Sequence, residues 1–311
     1  MRLALAYRNE QCVSISKGYA FNDNGCVFMY KIVRKKSLNK TVTLMDIASP
    51  RVAKKAEPGQ FIILRVDEEG ERIPLTIADF DREKGTVTII FQIVGETTEK
   101  LNALSEGDYI SDFAGPLGRA TETEGLKKVA IVGGGVGCAI AYPVAKKLYE
   151  SGCHVDVVAG FRNEELVILE DEFKAASSTF TLMTDDGSKG EKGLVTDALK
   201  GLIESGNKYD EVITIGPLIM MKFVCALTKE YGIKTVASMN PIMIDGTGMC
   251  GGCRLTVGGE VKFACVDGPE FDGHLIDFDE AIMRGAMYKD FERRRHEESC
   301  NLLKKGGDVN G

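Results

Sequence analysis

The chain has 311 residues, with 39 Lys and Arg against 46 Asp and Glu and a formal net charge of −7; no basic block is long enough to support nucleic-acid binding, and a mildly acidic surface is ordinary for an enzyme. A hydrophobic content of 44% with 27% charged residues predicts two or three packed domains. The longest apolar run, Val129 to Ala145, is broken by four glycines and a proline, too short to span a membrane, and Met1–Tyr7 lacks the apolar region of a signal peptide.

Residues 1–28 are polar and poorly periodic, and a fresh start at Met29 marks them as a non-native or disordered extension. From Tyr30 the pattern is β. Strands are expected at Lys31–Lys35, Val42–Ile47, Phe61–Val66, Arg72–Ala78, Thr86–Gln92 and Tyr109–Phe113, with a short helix at Glu96–Leu104. Short strands separated by turns such as Glu57-Pro58-Gly59 predict an antiparallel barrel over 29–123.

After Gly115-Pro116-Leu117-Gly118 strands alternate with helices. Strands are expected at Val129–Val132, Val155–Phe161, Thr179–Thr184, Glu211–Ile215 and Thr235–Ser238, and helices at Ala139–Ser151, Thr196–Glu204 and Leu218–Tyr231. That alternation predicts a parallel, doubly wound sheet over 124–238. Residues 239–284 form a cysteine-bearing unit with a hairpin expected at Arg254–Thr256 and Val261–Phe263. A charged helix is expected from Phe278 to Lys305, with 285–311 as a tail. The fold class is thus β + α/β.

Of nine cysteines, only Cys250, Cys253 and Cys265 form a close group, a pattern that suits a reducing, cytoplasmic compartment. Their setting, Asp245-Gly-Thr-Gly-Met-Cys250-Gly-Gly-Cys253 and then Cys265, follows the plant-type [2Fe–2S] spacing with a carboxylate in the first position. Flanking glycines let backbone amides approach the sulfurs. Zinc is the rival, because Cys-x2-Cys is also a zinc half-site. Asp245 is either a ligand or a turn residue before Gly246.

Gly133, Gly134, Gly135, Val136 and Gly137 follow a strand and open a helix, where bare amides form a site for a diphosphate. The dinucleotide fingerprint is incomplete, since residue 138 is Cys. An ordinary tight turn is the alternative. Arg72 could hold a diphosphate and Thr76 could reach a flavin edge, although Arg72 alone reads equally as a surface arginine. Gly95, Thr97 and Thr98 offer a second phosphate-binding turn. His154, His274 and His296 are scattered and receive no metal or acid–base role, and Arg293–Arg295 reads as a solvated helix face.

Together, Pro58-Gly-Gln-Phe61, Arg72-Ile-Pro-Leu-Thr76, Val94–Thr98, Gly115–Gly118, Gly133–Gly137, Ala159–Arg162, Gly216-Pro217, Ser238–Pro241 and Asp245–Cys265 resemble the ferredoxin-reductase-like flavoproteins with an appended [2Fe–2S] domain. Within them the chain looks like the electron-transfer subunit of dihydroorotate dehydrogenase. It looks still more like the small subunit of NADH-dependent reduced ferredoxin:NADP oxidoreductase, also described as a sulfide dehydrogenase small subunit, in which an aspartate joins the cluster ligands.

The resemblance implies FAD on the barrel, with Arg72 at its diphosphate, Pro74, Leu75 and Thr76 along the flavin, and Gly95, Thr97 and Thr98 on the phosphate side. It implies NAD(H) on Gly133–Gly137, flanked by Arg162, Gly216 and Pro217, and a [2Fe–2S] cluster on Asp245, Cys250, Cys253 and Cys265. NADP(H) stays open: Arg162 would greet a 2′-phosphate, whereas Glu164 and Glu165 would repel one. The implied partner is a larger FAD/[4Fe–4S] subunit in a heterodimer, with ferredoxin reached indirectly and diaphorase activity in this chain alone. The alternatives are the electron-transfer subunit for NAD-dependent dihydroorotate oxidation and, from another class, a zinc-bearing interaction module.

Overall fold

The computed structural model describes residues 19–22 and 25–287. Of the N-terminal segment, β1 (Tyr19–Asn22) and β2 (Gly25–Phe28) form a two-stranded antiparallel hairpin, separate from both large sheets; residues 1–18 and 23–24 lie outside the described residues.

The barrel contains β3 (Tyr30–Ser37), β4 (Val42–Ala48), α1 (Pro50–Lys55), β5 (Phe61–Arg65), β6 (Ile73–Asp81), β7 (Thr86–Gln92), α2 (Glu96–Ala103), β8 (Tyr109–Ile110) and β9 (Asp112–Leu117). Alternate residues of β7, Val87, Ile89 and Phe91, point into a core with Ile32, Met45, Ile62, Leu64, Ile77 and Phe113, as a half-buried strand requires. The strand order is β8-β3-β4-β7-β6-β5-β9, antiparallel throughout. The expected strand Tyr109–Phe113 is two strands, because the chain changes partners at Ser111: β8 pairs with β3 and β9 with β5. One extended run thereby links both edges of the sheet and nearly closes the barrel, which hides edge hydrogen-bonding groups.

The second unit has β10 (Lys128–Gly134), α3 (Cys138–Glu150), β11 (His154–Phe161), α4 (Glu170–Ala175), β12 (Thr179–Thr184), β13 (Glu191–Lys192), α5 (Val195–Glu204), β14 (Glu211–Ile215), α6 (Leu218–Glu230) and β15 (Thr235–Ser238). Its strands pair in parallel, with β10 central between β11 and β14. Near-continuous apolar runs such as Val129–Val132 are buried on both faces by helices, the signature of a parallel sheet. Helix α3 also packs against the barrel, where Lys146 Nζ lies 3.2 Å from Asp79.

The cysteine segment contains β16 (Arg254–Val257), β17 (Glu260–Phe263), β18 (Glu270–Asp272) and α7 (Phe278–Ala286). The hairpin β16–β17 is as expected. Strand β18 is not: it pairs antiparallel with β15 and becomes the seventh strand of the parallel sheet. Helix α7 starts where expected, capped by the Asp277 carboxylate accepting from the Glu280 amide at 2.9 Å. It extends to Ala286, and the rest of the helix expected up to Lys305, with His296 and Arg293–Arg295, lies outside the described residues. No described helix is long and apolar enough to cross a membrane.

Candidate functional site

A cavity of about 1220 Å³ opens between the barrel, the C-terminal ends of the parallel strands and the start of the cysteine segment. Ligands of open α/β sheets bind at this end of the strands. Among the residues expected to contact cofactors, Pro74, Leu75 and Thr76 of β6, Gly134, Gly135, Val136 and Gly137 after β10, Arg162 after β11, and Gly216 and Pro217 after β14 all line it.

The glycines are needed for different reasons. Gly135 has φ +55° with nothing near its Cβ position, so its backbone faces open space, a cradle suited to a diphosphate. At Gly137 a Cβ would lie 2.6 Å from the Ile215 carbonyl oxygen and 2.7 Å from Gly216 Cα. Gly137→Ala must therefore push the β10 and β14 loops apart, and should weaken nucleotide binding at least about tenfold, measured by NADH titration, while lowering stability by about 1–3 kcal/mol. Gly133 lies behind the lining, packed on the Cys138 thiol.

Four more expected residues, besides Gly133, stand away from the wall. Arg72 Nε donates to the Ile244 carbonyl at 3.0 Å, and its guanidinium lies 3.9 Å from Asp112. It thus ties the barrel to the residue preceding Asp245 and does not line the cavity. Thr98 Oγ1 accepts from the Val94 and Gly95 amides at 2.9 and 3.0 Å, capping α2, and Thr97 Oγ1 contacts Glu71 at 3.3 Å. Gly95, Thr97 and Thr98 are absent from the cavity wall. Among the described residues the barrel contributes no cation to that wall; Arg162 and Lys200 come from the sheet unit.

The wall also holds Asn39, Thr41, Gln92 and Asp185, none of which the sequence reading singled out, and Asn240 from the Ser238–Pro241 segment that carries the resemblance. Isolated polar residues at strand ends carry no spacing signal. Only the position of Asp185 at the end of a parallel strand could have drawn notice.

In the cysteine segment, Cys253 and Cys265 are buried with sulfurs 3.2 Å apart, while Cys250 is exposed. Burial, and then the neighbouring Cys253, push the Cys265 thiol up to about 12. Such a thiol ionises readily only beside a bound cation. Asp245 is held below the usual carboxylate range by amide hydrogen bonds, first from Thr247 at 2.9 Å and also from Cys250 at 2.7 Å. Among the described residues no three acidic, His or Cys side chains converge as a metal cage. The donor chemistry nevertheless fits an iron–sulfur cluster: soft thiols from both ends of a hairpin, on a loop kept open by Gly246, Gly248 and Gly251 at positive φ.

Comparison with known proteins agrees with this division. Residues 240–277 match the iron–sulfur cluster binding domain of dihydroorotate dehydrogenase B, and residues 131–226 match the oxidoreductase NAD-binding domain. A Clostridium beijerinckii protein, described as an uncharacterized protein in adh 3'region, is 58% identical over 84% of this chain and 91% of its own. A Thermotoga maritima homolog of the dihydroorotate dehydrogenase B (NAD(+)) electron transfer subunit is 46% identical over 91% of this chain and 99% of its own. The solved structure of NADH-dependent reduced ferredoxin-NADP oxidoreductase, which gave insights into flavin-based electron bifurcation, aligns at 46% identity and a TM-score of 0.83, covering 88% of this chain and 98% of that one. With an NAD-binding sheet, an iron–sulfur-binding segment and a ferredoxin-reductase-like barrel in one polypeptide, this chain belongs to the family of dihydroorotate dehydrogenase B electron transfer subunits and their ferredoxin-NADP oxidoreductase counterparts, and is an oxidoreductase subunit.

Proposed function

We propose that this chain transfers electrons between NAD(H), FAD and a [2Fe–2S] cluster, to or from a larger partner subunit carrying FAD and [4Fe–4S] clusters, with ferredoxin reached through that partner. The observation that carries the reading is the shared cavity, in which the Gly134–Gly137 turn and the Pro74–Thr76 strand face one space. FAD supplies hydride exchange with a nicotinamide and release of single electrons, and the cluster supplies a one-electron carrier.

The chain's own task is placement. Gly135 and its neighbours present amides to the nucleotide diphosphate, and Pro74, Leu75 and Thr76 offer a wall for the flavin. Cys250, Cys253 and Cys265 supply thiolates, with Asp245 as the fourth ligand. The capping bonds of Asp245 leave its carboxylate ionised, and ligation would need it to exchange an amide for iron. Arg72 holds the loop that carries it.

The test is purification of the full chain with its native partner, followed by cofactor analysis and NADH-driven reduction of ferricyanide. Bound flavin, iron, acid-labile sulfide and diaphorase activity are expected. A colourless, zinc-loaded protein without flavin overturns the reading. A second reading, the electron-transfer subunit for dihydroorotate oxidation, is favoured by the match over residues 240–277; a co-purifying FMN-bearing TIM-barrel partner would decide for it.

A further inference from the structure

The loop that carries Asp245 and the cysteines is gripped by arginines from three separate parts of the chain. Each reaches a backbone carbonyl beside one of the expected ligands. Arg72 meets Ile244, next to Asp245, at 3.0 Å; Arg119 Nε meets Val266, next to Cys265, at 3.3 Å; Arg284 Nη2 meets Gly252, next to Cys253, at 3.5 Å. The last two distances are long for hydrogen bonds, so what these groups chiefly bring is charge. The charge of Arg72 is already met by Asp112 at 3.9 Å. Neither Arg119 nor Arg284 has a carboxylate within 4.0 Å among the described residues. Both are fixed by the backbone that carries them. Arg119 follows β9, and its amide donates to the Gly268 carbonyl at 2.7 Å, on the same turn as Val266. At Gly118, with φ +74°, a Cβ would lie 2.8 Å from the Phe61 ring and 3.1 Å from the Gly268 oxygen, so barrel and turn touch there. Arg284 lies one turn along α7 from Glu280, on the same face, and Glu280 accepts from the Thr256 amide of β16 at 3.1 Å. Asp267 accepts from the Phe263 amide at 2.8 Å, and Glu260 pairs with Lys262 at 2.7 Å. Those three acidic groups are committed elsewhere and leave both guanidinium charges uncompensated.

We propose that Arg119 and Arg284 are positioning residues that raise the reduction potential of the cluster, by holding uncompensated positive charge beside Cys265 and Cys253. The proposal rests on the reading of this segment as a [2Fe–2S] site. All the expected ligands are anions, so the occupied site is net negative. Its reduction takes one electron, given up by the flavin, and makes one ferric iron ferrous, with no bond or proton exchanged. The added negative charge is favoured by a nearby cation and disfavoured when that cation is removed. Net charge around a cluster is one of the levers that set its potential. The two arginines come from opposite sides of the hairpin, one from the barrel and one from α7, so neither can stand in for the other.

The test uses the full chain with its cofactors and native partner. The cluster potential is read from the EPR signal of the reduced cluster during a redox titration, with iron content measured in parallel. The proteins compared are the natural one, Arg119→Gln, Arg284→Gln, Arg119→Lys, Arg284→Lys and the control Lys174→Gln, whose lysine pairs with Glu170 on α4 of the sheet unit. Each Gln variant should keep its iron and lower the equilibrium constant for reduction about threefold to tenfold, tenfold being about 59 mV for one electron. The Lys variants should restore the natural potential, because they keep the charge while losing the planar fork. The shift at Arg119, which is exposed, should shrink at high salt. Lys174→Gln should leave the potential as it was. An unchanged potential in either Gln variant, or a Lys variant as low as its Gln counterpart, overturns the proposal while leaving the cluster standing. Loss of iron in either Gln variant overturns it too, since that arginine would then be a brace for the loop. A natural protein without iron removes the reading of the segment itself.

Discussion

Cys253→Ser protein is expected to lose most of its bound iron and the EPR signal of a reduced cluster while keeping its flavin. Cys253 leads into β16 and Cys265 follows β17, and the hairpin is closed below them by the Ala264 amide donating to the Cys253 carbonyl at 3.1 Å. The two sulfurs are held 3.2 Å apart in a buried site by strand pairing rather than by a flexible loop. A serine hydroxyl is a harder donor than a thiolate and does not ionise under the same conditions. Cys225→Ser provides the control: that thiol, on α6, is buried and pushed up to about 12, first by desolvation; it is none of the expected ligands, and its loss should not change iron content. Full iron in Cys253→Ser would remove the cysteine hairpin from the ligand set. Asp245→Cys belongs to the same measurement. It should retain iron and shift the reduction potential, and an unchanged potential and EPR spectrum would leave Asp245 as only the cap of the Thr247 and Cys250 amides.

Glu270→Gln is expected to raise the thermal midpoint by several degrees at pH 8 and to leave it nearly unchanged at pH 4. Glu270 opens β18 at the junction of all three units. It pairs with Ser238 of β15, accepts from the Thr121 hydroxyl at 2.7 Å, and lies against Gly59 of the barrel. Its stem is partly exposed, but its carboxyl is enclosed. Burial pushes that carboxyl up to about 7, helped by the charges of Glu211 and Glu122 and opposed by the Thr121 hydroxyl. No cation among the described residues acts on it, and Lys234 is paired with Glu211 at 2.6 Å.

The sign follows from these values. Below the ordinary glutamate range both folded and unfolded chains hold the proton, and nothing is lost. As pH rises from about 4.5 to about 7, the unfolded chain ionises while the fold resists, so stability falls, by about 3 kcal/mol in all, and then levels off. Glutamine keeps an acceptor for Thr121 and has no charge to bury. Parallel stability-versus-pH curves for the two proteins would show that Glu270 does not titrate in this range.

How far the sequence could be read depended on whether a feature is local. The barrel strands, the alternating strands and helices, the glycine turn and the cysteine hairpin carry their signals in periodicity or spacing, and their positions agree with the fold to within a few residues. Helices α1 and α4 have six residues each and show too little of a helical repeat to be seen. Strand β18 has three and lacks alternation; it is extended because the free edge of β15 offers hydrogen bonds. The direction of Arg72 was equally hidden. A motif names the residue, but the side chain turns toward Ile244, which is 172 positions away in sequence. The same limit applied to the acidic groups around the cavity. Glu164 and Glu165 stood close to Arg162 in sequence, whereas Asp185 stands beside it only once β11 and β12 are parallel neighbours.

Because β18 is hydrogen-bonded into the nucleotide-binding sheet, the iron–sulfur segment is no pendulum on a tether. It shares a rigid body with the cavity, so the spacing between the sites is set by construction. An outside partner of the cluster therefore meets it at a surface whose place relative to the cavity is held by the sheet.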